Sequence, residues 1–258
     1  MNITFQKKPG NASLGIAFYW FMTVKSQKPI TISDHFIPEL FYDYFLIQAG
    51  TIQCQDEIKQ TQFTLPYQSL KTLHTHPLTF TFTTPLVLFG ARLSLPFAAF
   101  YQGKPLKANT FLELNWANDN PLDFSTFVSQ VTTAIQAQQK PQPRYPLLAP
   151  DFTESAWLAA YSPRHKRRLY KNTFGLSRKE IDSINLVHSF LEQTCDFAGQ
   201  NPRIISHLDP DVFYDQAHLN HAFKKMTGFS PLEYFEAPSI LQDNLMAASY
   251  KAFSPNNG

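Results

Sequence analysis

Two periods of apolar and polar residues succeed one another along this chain. In the first part the period is two. Leu78, Phe80 and Phe82 alternate with threonines, the pattern of a half-buried strand. Aromatic and β-branched runs over residues 18–22, 39–47 and 86–93 read as further strands. They are separated by the turn-formers Lys28-Pro29, Ala49-Gly50 and Thr84-Pro85. Several short strands in such a span predict a small barrel or sandwich. Residues 1–14 are polar and are expected to be loosely held, and a short helix is expected over residues 96–102. From residue 123 to 138 the period becomes helical, with Phe124, Phe127, Val128, Val131 and Ile135 on one stripe.

Pro141, Pro143, Pro146 and Pro150 then follow among glutamines, a text that forbids helix and favours an extended spacer. The expected organisation is α+β in two domains. A β-rich, barrel- or sandwich-like domain with some helix spans residues 1–140 and a proline-rich linker spans 141–150. An all-helical domain spans 151–236, and a tail over 237–258 includes a further helix at residues 238–250.

The helical part is organised around residues 161–177. Ser162-Pro163 is a helix start and Gly175 a helix stop. Between them stand Arg164, Lys166, Arg167, Arg168 and Lys171, with no acidic residue before Glu180. Helical spacing puts Arg164, Arg167, Arg168 and Lys171 on one side and Leu169, Tyr170 and Phe174 on another. That is the plan of a helix packed on a small core and presented to phosphate. A solvated charged face has the same composition. The plan recurs, however: setting Gly175 on Gly228 pairs Tyr170 with Phe223 and Lys171 with Lys224. Each helix then ends in Gly-x-Ser, the mark of a duplicated helical unit. Between the two, Ile181, Ile184, Val187 and Leu191 mark a long joining helix.

Residues 150–235 resemble the DNA-binding domain of AraC-type transcriptional regulators, two helix-turn-helix units joined by a long helix. The matching text is Ser162-Pro-Arg-His-x-Arg-Arg-Leu-Tyr with Gly175-Leu-Ser, then Tyr214-Asp-Gln-Ala-His-Leu with Phe223 and Thr227-Gly-x-Ser-Pro231. The resemblance implies a transcription regulator rather than an enzyme, whose recognition helices enter successive major grooves of double-stranded DNA. Position by position it implies DNA contacts from Arg164, Arg167, Arg168 and Lys171 in the first unit, and from Gln216, Asn220 and His221 in the second. It also implies a small-molecule effector for the β half, with RNA polymerase and a second copy of the chain as further partners. The text departs from the family at Ser155, Ala160, Lys166, Pro210, Val212 and His221. Those departures keep a second reading open, a regulator-derived protein with a degenerate DNA-binding half that works through protein contacts.

Composition narrows the chemistry. The net charge of +2 over 258 residues makes no polycation, so nucleic-acid binding must rest on a local patch. Two cysteines, Cys54 and Cys195, form neither a disulfide framework nor a metal set. The longest apolar run, residues 15–24, is too short for a bilayer. A cytoplasmic protein without membrane contact is the expectation. His74 and His76 flank Thr75 as in metal-binding barrels, but no acid follows, and a surface turn is the expectation. No catalytic constellation, metal site or cofactor motif is found. Arg92, in an apolar strand, must be paired or face a cavity. A structural ion pair with Glu39 or Glu113 is favoured over contact with an anionic effector.

Overall fold

The computed structural model describes residues 1–118, 123–138, 147–148, 152–195, 216–237 and 239–250. The β half forms two antiparallel sheets. The larger has the order β1 (Asn2–Pro9), β2 (Ile16–Lys25), β9 (Leu86–Ser94), β4 (Phe41–Ala49), β7 (Gln68–Lys71), β10 (Phe111–Glu113). The smaller runs β3 (Thr31–Phe36), β8 (Leu78–Thr83), β5 (Ile52–Asp56), β6 (Thr61–Thr64). Alternation along the strands sorts the side chains into two cores. Trp20, Met22, Phe45, Leu86 and Leu88 point between the sheets, where they meet Phe36, Cys54, Phe80 and Phe82. Tyr19, Tyr42, Tyr44, Phe89, Ala91 and Leu93 point to the other face of the large sheet. Gly90 lies directly under Trp20: a Cβ there would sit 2.1 Å from the indole, so the ring packs flat on bare backbone.

β1 corrects the expectation of a loose amino terminus. It pairs with β2 over its whole length, from Asn2 opposite Lys25 to Pro9 opposite Phe18. As an edge strand it buries little, which is why its text reads as polar.

Helix α1 (Leu95–Phe100) and helix α2 (Phe124–Ala137) cover the outer face of the large sheet. Asp123 caps α2 by accepting from the Ser125 and Thr126 amides. The predicted stripe is turned inward: Phe127, Val131 and Ile135 are buried against Tyr44 and Phe89. Each such side chain contributes about 1.5–3 kcal/mol.

The same core continues without a break into the helical half. Helix α3 (Pro163–Phe174) adds Tyr170 and Phe174. Helix α4 (Arg178–Thr194), the joining helix, adds Ile181, Ile184, Val187, Phe190 and Leu191. Helix α5 (Gln216–Thr227) packs on α4 through Phe223, whose ring meets Phe190 edge-on at 5.7 Å, and helix α6 (Pro231–Glu236) adds Tyr234. Helix α7 (Leu241–Tyr250) returns to the β half. Leu241, Leu245 and Ala248 enter the core between the sheets, while Met246 joins the helical core.

The resemblance implies a first helix for the first unit, from Asp151 or Thr153 to about Ala160, and the structure has less. Only a 3-10 turn forms, Ala156–Ala160. Ser155 makes no side-chain cap, and the preceding chain is diverted by an isolated bridge of Leu148 with Glu154 and by a left-handed Phe152 (φ 63°). The first helix that the resemblance implies for the second unit, Ile204 to Val212 or a shorter one starting at Asp209, lies outside the described residues.

Candidate nucleic-acid interface

Local chemistry sets helix α3. The Ser162 hydroxyl accepts from the His165 amide at 3.3 Å, Pro163 occupies the first turn, and Gly175 closes the helix at φ 74° with its amide on the Lys171 carbonyl. Two turns of burial, Tyr170 and Phe174, fix the roll of the helix. That roll leaves Arg164, Arg167, Arg168 and Lys171 exposed. Arg164 and Arg167 make no ion pair among the described residues. Arg168 donates to His165 Nδ1 at 3.1 Å, and the His165 ring stacks on Tyr161 at 4.7 Å. Lys171 reaches Glu180 Oε2 at 3.0 Å. Partial burial raises the Glu180 carboxyl, but bonds from Ser177 and the Lys171 amine outweigh it and hold it below the usual carboxylate range. Lys166, where the resemblance calls for a buried leucine, extends its amine outward to Glu154 and stays half-buried.

The duplicated plan is visible in the backbone. Gly228 closes α5 as Gly175 closes α3, at φ 80°, with its amide 2.9 Å from the Lys224 carbonyl. Two residues on, Ser177 and Ser230 each start the next helix with a capping box, partnered by Glu180 and Glu233. Phe223 is buried as Tyr170 is. On α5, Asn220 and His221 are exposed. So are Lys224 and Lys225, two cations that were not among the predicted DNA contacts. Gln216 begins the helix; its side chain lies outside the described residues.

Arg92 stands apart from this surface. It lies wholly buried on the inner face of β9, in a cross-strand row with Asp43 of β4 and Lys71 of β7. One terminal nitrogen meets Glu39 and the other donates to Ser249 Oγ of α7 at 3.0 Å. Nε lies 3.1 Å from Asp43 Oδ1, at an angle outside hydrogen-bond geometry, and Phe41 stacks 4.5 Å from the guanidinium. Lys71 donates to Asp43 at 2.9 Å. Every nitrogen of Arg92 therefore faces a group of its own chain. Of the two partners considered from sequence, Glu39 is the one used; Asp43, Lys71 and Ser249 were not foreseen. The signal for Asp43 was its parity with Phe45 and Ile47 in one strand.

His74 and His76 also depart from expectation, being buried rather than at a surface turn. His76 Nε2 lies 2.9 Å from Asp56, and His74 Nδ1 donates to the Thr72 carbonyl at 2.7 Å. Burial, helped by the nearby Lys71 amine, pushes the His74 imidazole down to about 3. Among the described residues no group of three His, Cys, Asp or Glu side chains could hold a metal ion, and no helix is long and apolar enough to cross a membrane.

A cleft of about 340 Å³ separates α1 from α3, lined by Tyr101, Lys104, Leu106, Trp157, Leu169 and Asn172 among others.

No protein-family model and no curated protein sequence matches the chain. Among solved structures the chain is similar to ToxT from Vibrio cholerae. An apo variant from strain SCE256 has 11% identity and a TM-score of 0.38, over 89% of this chain and 99% of that one. Wild-type ToxT with bound unsaturated fatty acid has 10% identity and a TM-score of 0.37, over 82% and 96%. ToxT from strain O395 bound to (E)-4-(8-methylnaphthalen-1-yl)but-3-enoic acid has 10% identity and a TM-score of 0.38, over 81% and 99%. Likeness at this level transfers neither a function nor a site to this chain.

Proposed function

We propose that this protein is a sequence-specific DNA-binding transcription regulator of the AraC type, with α3 as its principal DNA-contacting helix and the β half as a small-molecule sensor. The observation that carries this reading is the face of α3. Four cations stand exposed on a helix rigidly capped at both ends, and two of the arginines are unpaired among the described residues. Arginine on such a face suits guanine O6/N7 or phosphate oxygens. The recurrence of the helix–glycine–serine-box plan at α5 supports a second unit of the same kind. Asn220 and His221 are its exposed candidates, and the pairing is asymmetric: the first unit grips through charge and the second adds less.

The full chain is the object to test, because the helical half shares its core with the β half. Binding to duplex DNA selected from a random library is measured at several salt concentrations. The expected result is a log–log salt slope that flattens by about 2–3 in the Arg164→Ala/Arg167→Ala/Arg168→Ala variant, roughly one for each phosphate that is no longer neutralised. A folded wild-type chain that binds no duplex, or a variant that binds as well as wild type, overturns the reading. It would then favour a regulator-derived protein acting through protein contacts.

A further inference from the structure

Helix α7 is built unlike the rest of the core. Its sequence, LQDNLMAASY, is half polar, yet Gln242, Asp243 and Ser249 are buried together with Leu241, Leu245 and Met246. The Gln242 amide is fully enclosed, and neither its nitrogen nor its oxygen has a hydrogen-bond partner among the described residues. Contacts from elements distant in sequence hold the helix at both ends. At its start, the buried Asp34 carboxylate of β3 accepts from the Ser239 hydroxyl and from the Ile240 and Leu241 amides, an N-terminal cap supplied in trans by the sheet. At its end, Lys7 of β1 donates to the Ala248 carbonyl at 3.3 Å and Arg92 donates to Ser249. The Tyr250 hydroxyl donates to His188 Nδ1 of α4, whose Nε2 donates to the Pro38 carbonyl at 2.7 Å. One helix thus closes the sandwich where β9 ends and β4 begins, and touches α4 and α6 on its other side.

We infer that α7 is a detachable intramolecular ligand of the β-sandwich: it fills the sandwich end in the structure described, and an amphipathic small molecule without net charge displaces it. Detachment is favoured at Gln242, whose enclosed amide has no hydrogen-bond partner among the described residues and regains water when the helix leaves. The apolar part of the entrant replaces the stripe Leu241, Leu245 and Ala248. Its polar end replaces the Ser249 hydroxyl at Arg92. The charges there already balance, Arg92 and Lys71 against Glu39 and Asp43, so an added carboxylate would be a buried charge without a partner. An uncharged hydroxyl or amide is the end group that fits. Because α7 also lies on α4 and α6, its departure loosens the helical half at the same moment, which gives the sensor reading a moving part. The inference deepens that reading but does not depend on DNA binding.

Amide hydrogen exchange on the full wild-type chain tests it. Residues of α7 are expected to exchange at least 100-fold faster than the inner amides of β9, through an opening smaller than global unfolding. Addition of 1-octanol is expected to speed α7 exchange several-fold more, leaving β9 unchanged, while octanoate at equal concentration does not. Ser249→Ala and Asp34→Asn, each removing an anchor, are expected to raise exchange in α7 and in the helices it lies on, leaving β9 unchanged. Exchange of α7 in step with β9 overturns the detachable helix, even if DNA binding stands. A response to octanoate and not to octanol overturns the class of ligand.

Discussion

Replacing Arg92 by methionine removes a wholly buried cation from a buried charged cluster. Arg92 and Asp43 are 0% exposed, and Glu39 is 2% exposed. In the variant Asp43 keeps Lys71 at 2.9 Å, but Glu39 loses its cation and Ser249 its donor. Stripping one partner from a buried ion pair costs about 3–5 kcal/mol, because the other charge stays behind without compensation. With an m value of about 3 kcal/mol/M, the urea midpoint falls by roughly 1–1.7 M. Tryptophan fluorescence follows the transition, since Trp20 and Trp116 report the β half and Trp157 the helical half. Adding Glu39→Gln to Arg92→Met is expected to restore part of the loss, a coupling of about 1–3 kcal/mol. Arg92→Lys keeps the charge but not the fork that reaches three groups, and falls between. Arg164→Met on the exposed face of α3 is the control, within about 0.5 kcal/mol of wild type. A loss below about 1 kcal/mol for Arg92→Met would mean that water reaches Glu39, and the sealed end described for α7 would be wrong.

Three further outcomes are expected. Gly175→Ala combines a left-handed backbone with a Cβ only 2.4 Å from the Ala108 amide nitrogen, so it destabilises by more than about 1 kcal/mol, read as a lowered melting temperature. Ser177→Ala removes one half of a capping box and costs about 1 kcal/mol, measurable by urea unfolding. His74 is neutral when folded, its imidazole pushed down to about 3 by burial, while the unfolded chain takes up the proton near 6.5. Its contribution is therefore intact above about pH 6.5 and is lost on acidification toward pH 3, reaching about 2 kcal/mol at pH 5. His188, lowered first by burial, acts in the same direction. A pH series comparing wild type with His74→Gln isolates the first of these, and equal slopes below pH 6.5 would contradict it.

What the sequence made legible was local. Periods located α2 and α4, and a start and a stop located α3, because Ser162 and Gly175 act on the amides or carbonyls of their own neighbours; the caps Asp123 and Ser177 were not read. The exposed face of α3 followed from spacing alone. What stayed hidden was pairing. β1 carries one apolar position of note, Phe5, stacked on Trp20, and exists because β2 offers it an edge. Asp43, Lys71 and Arg92 meet only because three strands share one register, and no pattern within a single strand reports register. His76, in the bend before β8, likewise meets a partner far off in sequence, Asp56 at the end of β5. Helix α7 could be drawn from its own residues, but its seat could not: Asp34, Lys7, Arg92 and His188 come from four distant segments.

That seat orders events during synthesis. Helix α7 is made after every other described element, although it completes a sandwich whose last strand ends at Glu113. At about 5–20 residues per second, the ribosome leaves that sandwich without its end piece for on the order of ten seconds. Through that interval Arg92, Glu39, Asp43 and the inner aromatic faces meet whatever the cell offers. A small molecule of the proposed kind would therefore meet the sandwich before its own helix arrives to compete.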